Sequence, residues 1–293
     1  MHLLIGHMDD AMRVKVITDS TSDIPAELAD ALGITVVPVY VRFGDVVYRD
    51  GEEITSDEFF LKLTSLPIHP ATSQPTPEDF VKVYSKYCSE VEGIVSIHIS
   101  AKISGTFNSA LLATRTMETP CPIEVIDSKF NSAGLALVVM AAARLANEGA
   151  SIQDIITETY EVIDQVHMFG MFNTMKYLAR SGRVSKAIAA AANLIDVKPL
   201  LTFGDGEIVR AGLVRTMAKG IDRIYDYISK KVPIEELMIV HSAVPDEANK
   251  LKQRLTKFLP SDKILIAKLG AALGVHGGPG VLVMALRQPK SDE

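Results

Sequence analysis

The sequence predicts an α/β fold of two domains: an N-terminal, mainly parallel sheet flanked by helices, and a C-terminal mixed α/β domain. Three observations carry this. Short β-branched runs alternate with helical segments across the first half, a spacing that calls for right-handed βαβ crossovers. The second half adds a hairpin signal, Gly204-Asp205-Gly206 between two apolar runs, to further strand–helix–strand units. The chain of 293 residues, 47% hydrophobic and 23% charged, is ordinary in composition and long enough to bury a large core. The domains are expected to span residues 13–165 and 166–293.

Arg13 opens the first element, which leaves Met1 to Met12 as an extension outside the pattern. Val14–Ser20 is a β-branched strand. The helix after it has Pro25 at its start and Gly33 just past its end, where a fixed φ and a free one are respectively favoured. Ile34–Gly44 is expected as the next strand, and Thr55–Ser65 as a short helix with Thr55 or Ser56 as N-cap. A proline-rich loop, "LPIHPATSQPTP", leads into a helix from Pro77. Then come the strand "GIVSIHIS", the helix "GTFNSALLATRTM" and the strand "IEVIDS". "SAGLALVVMAAARLANEGA" is apolar enough to be a buried helix, and a further helix starts at Ser151. In the second half "HMFGMFNT" is a strand, and "MKYLARSGRVSKAIAAAANLID" is two helical pieces broken at Ser181-Gly182. After the hairpin the pattern gives a helix (Met217–Lys231), a strand (Leu237–Ala243), a helix (Pro245–Leu259) and a strand (Lys263–Gly270). A Gly-rich turn and one last apolar strand complete it.

Charge and composition narrow the function. A net charge of −6 argues against a nucleic-acid partner, because holding a phosphate backbone takes a basic face. The two cysteines, Cys88 and Cys121, form neither a disulfide framework nor a metal motif, which fits a reducing cytoplasm. The N-terminal stretch has a short apolar patch with neither a basic leader nor a long apolar core, so no signal peptide is expected. The most apolar windows fall short of the ~20 residues of a membrane span, so no stable membrane insertion is expected. The histidines lack ligand spacing, and no metal is expected.

The chemistry gathers in three places. Ser104, Gly105 and Thr106 sit where an apolar strand gives way to a helix, a junction that offers backbone N–H groups and hydroxyls to an anion. The other reading is a plain N-cap, although that leaves a glycine inside the first turn at a cost of ~1 kcal/mol against alanine. A phosphate loop is absent, whereas a carboxylate needs no basic cluster. Thr72 and Ser73 lie in "ATSQPTPEDF", where Pro75 and Pro77 hold the chain extended, and Thr76 is expected to cap the helix after them. His276, in "VHGGPG", either donates to a carboxylate or caps a turn. Arg180, Arg183, Arg210 and Arg215 cluster in the second half as a candidate partner-docking patch. A hydrolase trio of Ser104, His276 and Asp19 or Asp127 is conceivable, although no GxSxG elbow exists.

Taken together, "VITDSTSDIP", "ATSQPTPEDF", "ISAKISGTFNSALLA", "VIDSKFNSAG", "YLARSGRVS", "KPLLTFGDGEI" and "VHGGPG" resemble, in order, the motifs of the DegV family. These are bacterial fatty-acid-binding proteins that present acyl chains to a fatty acid kinase. The resemblance implies a cytoplasmic, non-enzymatic carrier with no cofactor and a long-chain (C14–C18) fatty acid as ligand. By the same resemblance Thr72 and Ser104 hold the carboxylate, His276 completes the polar end, and basic residues such as Arg215 meet the kinase. Gly277 stands where relatives often carry an aliphatic residue. "LALVVMAAARLA" and "HMFGMFNTM" are candidates for the tunnel wall, with core packing as their other role. The alternative is a hydrolase or phosphotransferase of the same architecture acting on a small acid.

Overall fold

The computed structural model describes residues 14–119, 121–183 and 197–290. The expected N-terminal extension and the second helical piece after Ser181-Gly182 lie outside the described residues.

The first half runs β1 (Val14–Asp19), α1 (Ala26–Ala31), β2 (Thr35–Val37), β3 (Tyr40–Phe43), β4 (Val46–Arg49), α2 (Ser56–Ser65), β5 (Ala71–Ser73) and α3 (Pro77–Tyr87). It continues with β6 (Gly93–His98), α4 (Thr106–Thr116), β7 (Ile123–Asp127), α5 (Ser132–Asn147) and α6 (Ile152–Gln165). Strands β2, β1, β6 and β7 pair in parallel in that order, as the alternating pattern requires. β6 is buried at every residue, which is why it reads as an almost unbroken apolar run. Thr55 and Thr76 cap α2 and α3, each completing a capping box with the acid three residues on, Glu58 and Asp79.

One expected strand is in fact two. Ile34–Gly44 breaks at Pro38, which has no N–H to give a ladder. The part before it, β2, pairs with β1, whereas β3 joins a separate antiparallel sheet in the order β4-β3-β5. β5 lies in the stretch expected as a loop, with Thr72 opposite Val41.

The second half contains β8 (Val166–Met171), α7 (Lys176–Ser181), β9 (Lys198–Gly204), β10 (Glu207–Val214), α8 (Met217–Ser229) and β11 (Glu236–His241). It ends with α9 (Pro245–Leu255), β12 (Ile264–Lys268), α10 (Ala271–Gly277) and β13 (Leu282–Arg287). Its mixed sheet has the order β10-β9-β8-β13-β11-β12, with only β11 and β12 parallel. The β9–β10 hairpin turns at Asp205 and Gly206, both at positive φ. α10 falls where the sequence suggested only a Gly-rich turn.

α5 joins the two sheets. Thirteen of its sixteen residues are buried, and the helix packs on β1 and β6 on one side and on β8, β11 and β13 on the other. Val16, Val95 and Ile97 of the parallel sheet therefore share one core with Met238, Val283 and Ala285 of the mixed sheet. Each fully buried Leu or Val along α5 contributes roughly 1.5–3 kcal/mol relative to exposure.

Candidate functional site

A cavity opens beside the carboxyl ends of β1 and β6, where open α/β sheets place their ligands. The space between its walls, counted out to its open mouth, is about 1040 Å³. Most of the wall is apolar, with Ile99, Phe172, Leu201, Phe203, Ile208 and Val283 contributed by both sheets and by the hairpin. Met168 also lines it, so part of the Met-rich segment is wall, whereas the apolar face of α5 packs the core.

The polar residues Thr72, Ser73, Gln74, Ser104, Gly105 and His276 line the same cavity. Five of these six were singled out from the sequence, and they converge from three separate elements. Thr72 and Ser73 stand on β5, whose pairing with β3 fixes them. Ser104 and Gly105 end the turn after β6, in which Ile103 N and Ser104 N both donate to Ser100 O. His276 comes from the last turn of α10. Gln74 was missed, and its signal was the glycine opposite. A Cβ on Gly105 would lie 2.6 Å from Gln74 Nε2. The close approach that calls for glycine is thus made by this side chain, and Gly105 is the N-cap of α4 rather than a residue within its first turn.

The hydrogen bonds orient these groups. Ser104 Oγ accepts from Thr106 N at 3.2 Å and lies 2.9 Å from Thr106 Oγ1. Thr106 itself is fully buried and is not part of the cavity wall, so it acts on the site through Ser104. Thr72 Oγ1 and His276 Nε2 are 2.9 Å apart. Burial pushes the His276 imidazole down to about 4, and the nearby charges of Arg183 and His69 push the same way. The ring is therefore neutral at physiological pH. With its proton on Nε2 it donates to Thr72, which frees the Thr72 O–H for a ligand, while Nδ1 has no partner.

The glycines after His276 make room for α7. A Cβ on Gly278 would run into the Tyr177 ring, and one on Gly280 would come within 2.8 Å of Asn173 Cβ. Met175, the N-cap of α7, and Leu178 within it pack in turn on Leu201, with Ile208 against the same cluster. Arg183, just beyond α7, lines the cavity, whereas Arg180, Arg210 and Arg215 are exposed and outside it.

A hydrolase trio is not assembled. Ser104 bonds to Thr106 and His276 to Thr72, not to each other. Asp19 accepts instead from His98 Nδ1 at 3.0 Å, and His98 Nε2 meets Ser96 Oγ at 2.7 Å. That Asp–His–Ser chain is wholly buried in the core, where no substrate reaches it. Among the described residues no group of three His, Cys, Asp or Glu side chains could hold a metal ion. No described helix is long and apolar enough to cross a membrane.

The model of the DegV family, described as an uncharacterised protein family, matches residues 13–288. The chain belongs to the DegV family. A DegV domain-containing protein of Caldanaerobacter subterraneus is 34% identical over 271 residues, which cover 91% of this chain and 96% of that one. A DegV family protein from Thermus thermophilus, whose structure concerns fatty acid binding, superposes with a TM-score of 0.87 at 34% identity over 94% of this chain and 100% of that chain. A stearic acid-binding protein from Eubacterium ventriosum superposes with a TM-score of 0.86 at 26% identity, over 94% and 98% of the two chains. The DegV architecture, a parallel sheet and a mixed sheet with helices, is thus the fold of this chain.

Proposed function

We propose that this DegV family member is a non-enzymatic carrier that buries a long-chain fatty acid (C14–C18) in the cavity and holds its carboxylate at Thr72, Ser73, Ser104 and Gly105, with His276 completing the polar end by orienting the Thr72 hydroxyl. The observation that carries the reading is the pairing of a large apolar wall with one group of neutral donors. The Thermus thermophilus and Eubacterium ventriosum proteins, described as binding fatty acid and stearic acid, support it.

The energetics agree. Burying ~14 methylenes at ~0.8 kcal/mol each gives a gross term of about 11 kcal/mol, from which ordering costs subtract. Affinity then comes from the chain, and the hydrogen bonds set orientation. No nucleotide motif stands beside the carboxylate, so phosphorylation of the bound acid falls to a cytoplasmic fatty acid kinase. Arg180, Arg210 and Arg215 form the surface offered to it, with Arg183 at the cavity. On this reading residues 13–165 and 166–293 are two lobes that enclose the chain between them.

Mass spectrometry of an organic extract of the purified protein, beside its intact native mass, tests the reading. A stoichiometric C14–C18 acid is expected. A protein that is empty and gains no mass on incubation with oleate or palmitate overturns it.

A further inference from the structure

In the "TDSTSD" stretch at the end of β1, Thr21 lines the cavity, whereas Asp23 is tied to the site through α10. Asp23, held at positive φ (54°), aims its carboxyl at the start of that helix. Its Oδ1 accepts from Gly270 N at 2.7 Å and its Oδ2 from Ser132 Oγ at 2.5 Å. Asp50, just past β4, accepts from Ala271 N and from Ser20 Oγ, both at 2.9 Å. Gly270 stands between the two carboxyls. A Cβ there would lie 3.0 Å from Asp23 Oδ1 and 3.3 Å from Asp50 Oδ2. Two side chains from the first half thus grip the first N–H groups of a seven-residue helix whose last turn carries His276.

We infer that Asp23 and Asp50 are positioning residues of the head-group site, setting the depth and rotation at which His276 meets Thr72. For its ligand the inference rests on the fatty-acid reading, whereas the Thr72–His276 contact it concerns is independent of that reading. Other ties keep the neighbourhood folded when one grip is lost. Ser56 Oγ donates to Leu269 O at 2.7 Å, Ser242 Oγ donates to Gly278 O at 2.8 Å, and Ala271, Ala272 and Val275 are buried. Removing an aspartate then frees the start of α10 to shift, and with it the ring at its other end.

The grip is also sensitive to charge. Burial pushes Asp23 up to about 8 and Asp50 up to about 6, and the charges of Asp50 and Asp19 raise Asp23 further. At pH 7 Asp23 therefore keeps its proton while Asp50 is mostly ionised. Above pH 8 Asp23 adds a further buried negative charge beside Asp50 and Asp19. Lys268 at the end of β12 is paired with Asp57 at 2.6 Å, and burial pushes the His241 imidazole at the end of β11 down. α5 contributes only the Ser132 hydroxyl.

The test is oleate titration by calorimetry into delipidated full-length protein between pH 6.5 and 9.5, together with ¹⁵N NMR of the His276 ring. Wild type is expected to lose affinity as pH rises through 8, whereas Asp23→Asn, which cannot ionise, should show no such pH-dependent loss. Asp50→Ala should weaken oleate about tenfold through loss of its charge-assisted hydrogen bond to α10, and move the His276 ring signals. Asp50→Asn, which keeps one acceptor, should recover most of that loss and serves if the alanine variant does not fold. Oleate affinities within twofold of wild type in all variants, with an unchanged pH course and unmoved His276 signals, overturn the inference and leave the carrier intact. If wild type binds no oleate, the carrier reading falls, and the His276 signals of the aspartate variants still decide whether the grip positions the ring.

Discussion

Replacing Thr72 by valine separates the polar contribution of the head-group site from everything else. Valine is nearly isosteric and favoured in strands, so β5 and its pairing with Val41 should survive. What disappears is the hydroxyl 2.9 Å from His276 Nε2. His276 Nδ1 already lacks a partner, so the variant leaves a largely buried imidazole with no hydrogen bond from the protein. A buried polar group left unpaired costs about 1–3 kcal/mol, and this ring belongs near the middle of that range. At 2–4 °C per kcal/mol for a chain of this size, the unliganded protein should melt roughly 4–8 °C lower. Oleate should bind about tenfold more weakly, because the carboxylate loses one donor. Differential scanning calorimetry and isothermal titration on delipidated protein measure the two effects, and Thr72→Ser should restore both. If Thr72→Val binds oleate within twofold of wild type, or if the serine variant is no better than valine, Thr72 does not hold the head group.

The remaining predictions use the same geometry. Gly105→Ala has an allowed backbone (φ −81°) and should cost little stability, but its methyl displaces Gln74 from the cavity, so ligand exchange should change while the melting temperature stays within a few degrees. Gly278→Ala is strained at φ 70° and collides with Tyr177, and should destabilise by about 2 kcal/mol or more, read by denaturant unfolding. His276 is held down to about 4 against an unfolded value near 6.5, so the unfolded chain binds the extra proton. The stability it lends is complete above pH 6.5 and is lost as pH falls towards 4. His276→Gln should flatten that limb in urea titrations at pH 7 and pH 5. Arg183→Ala removes a cation that pushes His276 down, and should move the ring's titration upward by NMR.

Strands β1, β6 and β7 of the parallel sheet were legible because each is a short β-branched run closed by a turn signal. The small sheet was not, because β2 and β3 run together as one apolar stretch in which only Pro38 marks the change of partner. α10 was hidden for a related reason: two glycines in seven residues weaken its helical signal, and the N–H groups at its start are held by Asp23 and Asp50, distant in sequence. In the site, the hydroxyls and the histidine stood out because polar groups at strand ends beside prolines or glycines are conspicuous. Gln74 is not: its place over Gly105 exists only once two loops meet. Arg180, Arg183, Arg210 and Arg215 formed one group in the sequence, and of these four Arg183 lines the cavity.

On the proposed carrier function, the neutral His276 imidazole explains why the carboxylate end needs no ion pair with that ring. A protonated imidazole at His276 would make an ion pair with the ligand, but only after both charges were taken from water, a cost of several kcal/mol per ion that the pair does not reliably recover. Neutral donors avoid that cost and leave the methylenes to supply the binding. On the proposed carrier function, a head group held by such bonds stays open to a second protein while the chain is buried. Aspartates that keep α10 in place serve the same end, since a neutral hydrogen bond depends more steeply on direction than an ion pair does. A site built on such bonds needs its histidine held rigidly, and Gly270, with a carboxyl on either side, is where that rigidity enters.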